Sequence, residues 1–271
     1  MLCIDPKGEN VQVTARRRRR FGPVHVLDPF GISGSLSSAY NPLDALDPAS
    51  IDLAEDAATL ADALVCDPPG ASEPHWNEEA RALLSGLILH VITAEESYRR
   101  TLATVRELVT LSPDAFRRLL KRMQASSAAG GLVARAANRH LAKSDREASG
   151  VLSAAQRHTH FLDSHRMGRV MARSDFGFAD LKAGTATVFL VLPPDRLDAY
   201  ARWLRLMVGQ AITAMARSPA RPPLPRPVPA RRVRGPRPPG AGRARDGAHG
   251  RLRTPALAHP PGPAPAPRHL R

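Results

Sequence analysis

Two stretches decide how the chain is read: Leu2-Cys3-Ile4-Asp5-Pro6-Lys7-Gly8-Glu9-Asn10 and Val24-His25-Val26-Leu27-Asp28-Pro29-Phe30. Met1–Ile4 and Val24–Leu27 are short apolar runs, each closed by Asp-Pro. Proline has no amide hydrogen to donate and cannot continue a ladder, so each Asp-Pro ends a strand. The interval Val11–Phe21 has the length of a short helix and contains Arg16, Arg17, Arg18, Arg19 and Arg20. Strand, helix, strand is the rhythm of a parallel βαβ unit. Open sheets of that kind place ligands at the carboxyl ends of their strands, where Asp5 and Asp28 stand.

Working outward, Gly31–Asp47 reads as loop, and from about Ala49 the period changes to helical. Helices are expected over Ile51–Val65, Trp76–Thr93, Thr101–Leu111, from Pro113, over Leu132–Ala142 and over Ser149–Leu162. Pro113 suits a first helical position and Ser112 an N-cap. Ala128–Gly131 interrupts the pattern. More than a hundred residues thus carry no strand signal. Ala186–Leu192 then reads Ala-Thr-Val-Phe-Leu-Val-Leu, a continuous apolar, β-branched run of the kind buried on both faces. Pro193-Pro194 closes it. Asp195 is expected to cap a long helix, Leu197–Arg217, with Leu197, Tyr200, Leu204, Met207, Val208 and Ile212 facing inward.

The charge is uneven. The chain carries a net +14, and its last 54 residues hold twelve arginines against one aspartate and no lysine or glutamate. Most of the excess therefore sits in residues 218–271, together with 15 of the 26 prolines. Such a segment is expected to remain disordered and to bind polyanions. The nearly neutral body is not that of a protein that coats DNA. Two cysteines, Cys3 and Cys66, exclude a disulfide scaffold, and no CxxC pair suggests zinc. No run approaches the ~20 apolar residues of a membrane span, and residues 5–10 are polar where a signal peptide would be apolar. A cytoplasmic chain is expected.

The motifs, in order, are Asp5–Asn10, Asp28-Pro29-Phe30, Asn41-Pro42-Leu43-Asp44, His75-Trp76-Asn77-Glu78-Glu79-Ala80-Arg81, Ser149–Gln156, Ser174-Asp175-Phe176 and Val188–Pro193. In this sequence and spacing they resemble the cytoplasmic domain of conjugative coupling proteins, the TraG/VirD-type DNA-transfer ATPases of type IV secretion systems. The resemblance spans about residues 2–217. It implies an α/β fold: a partial RecA-like parallel sheet with an inserted all-helical domain. Residues 1–48 and 173–217 would be the two parts of the nucleotide-binding domain, 49–172 the insertion and 218–271 a disordered tail. In the family, a membrane-anchored hexamer uses ATP and Mg²⁺ to hand a DNA–relaxase complex to a secretion channel. DNA, relaxase and channel components are the partners the resemblance implies.

Two departures accompany the match. No GxxxxGK[ST] occurs, so the stacked N–H groups and lysine that hold the β- and γ-phosphates are missing. Where the family has a strand ending in the Walker B Asp-Glu, Pro227–Gly235 reads Pro-Val-Pro-Ala-Arg-Arg-Val-Arg-Gly, which cannot be a central strand. Suitable codons for that stretch, read one nucleotide later, encode Leu-Phe-Leu-Leu-Asp-Glu-Phe-Ala. Residues 250–263 in the same offset also encode a family-like segment. The tail is therefore read as an out-of-frame translation and the chain as a fragment without ATPase activity. Strands such as Val188–Leu192 are then expected to keep unpaired edges and to make the chain poorly soluble.

Several residues carry two readings. Asp5, Lys7, Gly8 and Glu9 are nucleotide-proximal by resemblance; they also suit a capped turn at the start of a helix. Arg16–Arg20 could contact DNA phosphates or form a solvated face. Five consecutive helical residues point to all sides, so not all can meet one duplex. His158, His160 and His165 lack metal-ligand spacing, and Ser153 with His158 has no orienting acid, so no catalytic residue, metal or other cofactor is expected. Two rival functions remain: a non-enzymatic nucleic-acid binder acting through the arginine-rich tail, and a helical docking module for relaxase or cargo in residues 49–172.

Overall fold

The protein is seen in a computed structural model that describes residues 1–66 and 74–220. The tail from residue 221 on, and the readings that fall on it, lie outside the described residues. Three strands form one sheet: β1 (Leu2–Asp5), β2 (Val24–Leu27) and β3 (Thr187–Val191). The order is β1-β3-β2 and both pairings are parallel, with Cys3 opposite Phe189 and Val26 opposite the same residue. The helices among the described residues are α1 (Glu9–Arg18), α2 (Leu53–Leu64), α3 (Pro74–Ala94), α4 (Leu102–Val109), α5 (Pro113–Gln124), α6 (Leu132–Leu141), α7 (Asp145–Thr159), α8 (His165–Val170), α9 (Asp180–Ala183) and α10 (Ala201–Arg217). The expected α/β architecture is present: the sheet draws on both ends of the described chain, and everything from α2 to α9 intervenes between β2 and β3.

Two expectations need correction. Val188–Leu192 does not carry an unpaired edge. The order β1-β3-β2 puts β3 in the centre, hydrogen-bonded on both sides and buried at all five positions. Among the described residues the open edges belong to β1, where Ile4 is half exposed, and β2. The long helix does not begin at Leu197 under an Asp195 cap. Pro194–Arg196 form a 3-10 turn and α10 starts at Ala201. Its buried stripe is Trp203, Leu206, Met207 and Ala211, whereas Ile212 is mostly exposed.

Helix packing follows the amphipathic patterns. On α5, Phe116, Leu119, Leu120 and Met123 are buried, the 3–4 spacing of a single face. α3 runs through the middle of the helical block and packs on α2, α6, α7 and α4. Leu84, Leu87, Ile88, Val91 and Ile92 are all but inaccessible. A Cβ on Gly86 would lie 2.3 Å from the Ala136 side chain, so this glycine lets α6 approach α3 closely.

A buckle ties this block to the sheet. Asn41 is buried. Its side chain accepts from the Leu43 amide at 3.1 Å and donates to Asp44 and to the Arg100 carbonyl, both at 2.8 Å. The Asn41 amide donates to Ser174 Oγ at 3.0 Å, and the Ala39 amide donates to the Asp175 carboxylate at 2.8 Å. Phe176 stacks on His25 of β2, with ring centroids 4.5 Å apart. The motifs Asn41–Asp44 and Ser174–Phe176 are thus two halves of one junction.

Candidate functional site

The carboxyl edge of the sheet is built from the two Asp-Pro turns. Asp5 is buried; one carboxylate oxygen accepts from the Val11 amide at 2.9 Å, and the other from Asn10 Nδ2 at 3.5 Å. It therefore holds the first turn of α1. Gly8 sits at φ 73, and a Cβ there would lie 2.9 Å from Ser33 Cα. Only glycine satisfies both the backbone angle and the approach of the second loop. Lys7 and Glu9 are at the surface of the turn, and neither meets Asp5 in an ion pair or hydrogen bond.

Asp28 closes β2 in the same manner but more completely. Oδ1 accepts from the amides of Gly31 and Ile32 at 2.7 and 3.3 Å, and Oδ2 from that of Ser33 at 2.7 Å. Three successive N–H groups converging on one carboxylate form the kind of concavity that binds anions. Here the anion is the chain's own side chain. β3 ends at Val191, and Pro193-Pro194 follow it into a 3-10 turn. The turns after β1 and β2 thus approach each other, and their buried carboxylates are committed to their own backbones.

The basic helix leaves this edge and runs along the sheet. Arg18 is turned inward, its Nε donating to Thr187 Oγ1 of β3 at 2.9 Å. Arg16, Arg17, Arg19 and Arg20 are exposed. Arg16, Arg17 and Arg20 line one open hollow with Val13 and Phe21. The five arginines therefore divide into one anchor and an outward group.

Other resemblance motifs acquire a structural meaning. A Cβ on Gly150 would lie 2.6 Å from the Trp76 ring, so the start of α3 packs on α7 only because residue 150 is glycine. His158 is fully buried, with Nε2 2.8 Å from Asn77 Oδ1 and Nδ1 3.3 Å from an Arg202 guanidinium nitrogen. His160 and His165 are exposed and do not join it. Among the described residues no three His, Cys, Asp or Glu side chains come together as a ligand set. Arg166 reaches over the Phe30 ring at 5.6 Å and donates to the Pro29 carbonyl at 3.4 Å, linking α8 to the second Asp-Pro turn. Sequence reading misses Arg139, Arg166 and Arg202, because nothing local marks an arginine whose partner lies tens of residues away.

Glu79 sits between two cationic side chains, Arg139 and Lys143. Hydrogen bonds from Arg139, then from Lys143 at 2.8 Å, outweigh the burial of the carboxyl and hold its pKa down at about 2, against 4.5 for an unperturbed glutamate. A depressed carboxylate pKa stabilises the fold above the unfolded-state value. That contribution disappears as pH falls from about 4.5 toward 2. Glu79→Gln is therefore expected to cost roughly 2 kcal/mol at pH 7. The gap between variant and parent should close on acidification. Urea midpoints measured from pH 7 to pH 2 check this; a gap independent of pH would contradict it.

The family model for type IV secretory system conjugative DNA transfer matches residues 1–227. The type IV secretion system-coupling protein VirD4 of Bartonella quintana is 26% identical over 224 residues, covering 79% of this chain and 34% of that protein. A conjugal transfer protein TraG of Escherichia coli is 26% identical over 226 residues, covering 79% and 35%. This chain thus spans about a third of the length of these relatives. Among solved structures, the plasmid coupling protein TrwB in complex with the GTP analogue GDPNP superposes with a TM-score of 0.59 at 14% identity, covering 81% of this chain and 46% of that one. TrwB in complex with ADP and Mg²⁺ gives 0.55. At that identity the likeness concerns the fold, which is the RecA-like sheet with its helical insertion. No helix among the described residues is long and apolar enough to cross a membrane. The match over residues 1–227, which takes in the sheet edge and its junction with the helices, shows that the chain belongs to the family of type IV secretory system conjugative DNA transfer proteins.

Proposed function

We propose that this polypeptide is a segment of a conjugative coupling protein, contributing part of the nucleotide-binding sheet (residues 1–48 and 173–217) and the inserted helical domain (49–172). The function served is transfer of DNA with its relaxase toward a secretion channel. The observation that carries this reading is the family match over residues 1–227, which takes in both Asp-Pro strands, the helical insertion and β3. The names of the relatives, a secretion-system coupling protein and a conjugal transfer protein, support the same role. A graft tests it. Residues 1–217, placed in the homologous segment of a full-length coupling protein, should retain conjugative transfer. A folded chimera that transfers nothing would count against the reading.

In this reading the polypeptide does not turn over nucleoside triphosphates by itself. No GxxxxGK[ST] is present in its sequence. The concavity of converging amides at the sheet edge, Gly31–Ser33, already holds the Asp28 carboxylate. A triphosphate would have to displace that buried charge. Purified chain with ATP or GTP and Mg²⁺ should show no phosphate release above a blank. Turnover that chelation of Mg²⁺ abolishes would overturn this.

A second reading has its own support. The twelve arginines between residues 221 and 271 would bind nucleic acid by charge alone. DNA binding lost on deleting residues 218–271 would favour a non-enzymatic binder acting through this tail.

A further inference from the structure

α1 has two unlike faces. Val11 and Ala15 are buried against Val26, Phe189 and Val191 of the sheet, and Arg18, three residues on, is anchored to Thr187. Val13, Arg16 and Arg17 fall at i, i+3 and i+4 on α1, and Arg20 and Phe21 follow in the turn just past its end at Arg18. They line one hollow of about 640 Å³. Val13 is 80% exposed and Phe21 57% exposed, so an apolar residue stands at each end of a row of three guanidinium groups.

None of these three arginines has a carboxylate within ion-pair distance among the described residues. Arg99, Arg106, Arg139 and Arg217 each have one at 2.9 Å or less. A solvated helix face ordinarily mixes both signs of charge. Here three positive charges and two exposed apolar side chains occur together with no acid among them.

We infer that this outward face of α1 is a docking surface for single-stranded nucleic acid. Arg16, Arg17 and Arg20 would hold successive phosphates, and the Phe21 ring would stack on a base. The choice of nucleic acid over other polyanions rests on the DNA-transfer reading above; the rest is local. Arg16 and Arg17 stand in the last turn of α1 and Arg20 in the turn just after it, a short interval over which a nucleic-acid strand presents only a few phosphates. Guanidinium forks suit phosphate oxygens, and an exposed aromatic ring accepts any unstacked base. A duplex keeps its bases stacked inside and would leave Phe21 idle. A flat bilayer fits a protruding face better than a hollow.

The arginine-rich tail binds polyanions too, so the test must locate the contact in the full chain. The probe is an oligothymidylate carrying a photoreactive iodouracil, titrated over a range of salt. The crosslinked peptide should contain Phe21. Replacing Arg16, Arg17 and Arg20 together by Gln should weaken binding about tenfold and reduce the salt slope by about 2. Phe21→Ala should remove the crosslink and weaken binding about tenfold. Arg117, Arg118 and Arg122, exposed on α5, provide a charge-matched triple to Gln that should change binding by less than twofold.

Equal losses in the two triples, crosslinks confined to residues 218–271, or a duplex bound as tightly with Phe21 neutral would each overturn the proposal. So would flotation with anionic vesicles that depends on α1 while the oligonucleotide does not bind. If the triple variant melts below the parent, hydrogen exchange of α1 in the unmodified chain, with and without oligonucleotide, decides the matter: added protection supports the site and none rejects it. These outcomes leave the DNA-transfer reading to its own test, the graft.

Discussion

Asp28→Ala is expected to destabilise the protein by about 3 kcal/mol, because it takes an acceptor from three loop amides at once. The carboxylate is 3% exposed and accepts from Gly31, Ile32 and Ser33. Its loss also frees the loop that carries Ser37 and Ser38 back onto β2, where the Ser38 amide donates to the Val26 carbonyl at 2.7 Å. The Gly31 amide keeps a longer contact, 3.3 Å, with the Asp28 carbonyl, and water can reach the loop where it opens. The total therefore falls short of three full desolvation penalties. Asp28→Asn should recover only part. One amide oxygen still accepts from Gly31 and Ile32, but the NH₂ group then faces the Ser33 N–H, donor against donor. Chemical denaturation of the three proteins should give the stability order Asp, Asn, Ala. Hydrogen exchange at Gly31, Ile32 and Ser33 gives the location. Unchanged protection at these three amides in the alanine variant would show that the carboxylate does not organise the loop.

That experiment also separates what a sequence can disclose from what it cannot. The Asp-Pro pairs mark strand ends because proline chemistry is local: β2 lies at the expected Val24–Leu27, and β1, Leu2–Asp5, is one residue on from the expected Met1–Ile4. β3 is legible for a related reason: five β-branched or apolar residues bounded by Pro193-Pro194 suit a strand buried on both faces. The order of the strands is not local. Nothing between Ala186 and Leu192 says that β3 enters between β1 and β2, and the expectation of its open edge fails there. Asp5 is a comparable case. The residue type at a strand end fits a ligand site and a helix cap equally, and the 2.9 Å contact with the Val11 amide, which ties the side chain to the first turn of α1, is not written in the local sequence. The arginines of α1 are divisible in principle by their 100° steps, but the sequence does not say which step faces the sheet. Trp76, Asn77, Glu79 and Gly150 are visible as motifs; their mutual contacts across α3, α6 and α7 are not.

The inward face of α10 supplies the sharpest case, and a measurement. Leu204, Val208 and Ile212 form one apolar stripe, and Trp203, Met207 and Ala211 form its neighbour, a single residue round the helix. Periodicity cannot choose between adjacent stripes. The structure chooses the second: Trp203, Leu206, Met207 and Ala211 are at 0% exposure, while Ile212 is 59% exposed. Trp203→Ala should therefore cost about 3–5 kcal/mol, the usual range for emptying a buried aromatic site. Ile212→Ala should change stability by less than about 0.5 kcal/mol, as surface substitutions do. Trp203→Phe refines the argument. The buried indole Nε1 has no hydrogen-bond partner among the described residues, so removing that donor sacrifices no bond. The phenylalanine variant should then lose only part of the packing, about 1.5 kcal/mol. Denaturation midpoints of the three variants should fall in the order Ile212→Ala, Trp203→Phe, Trp203→Ala. If Ile212→Ala proved the most damaging, α10 would pack rotated by about one residue, 100° around its axis, with the Leu204, Val208 and Ile212 stripe inward.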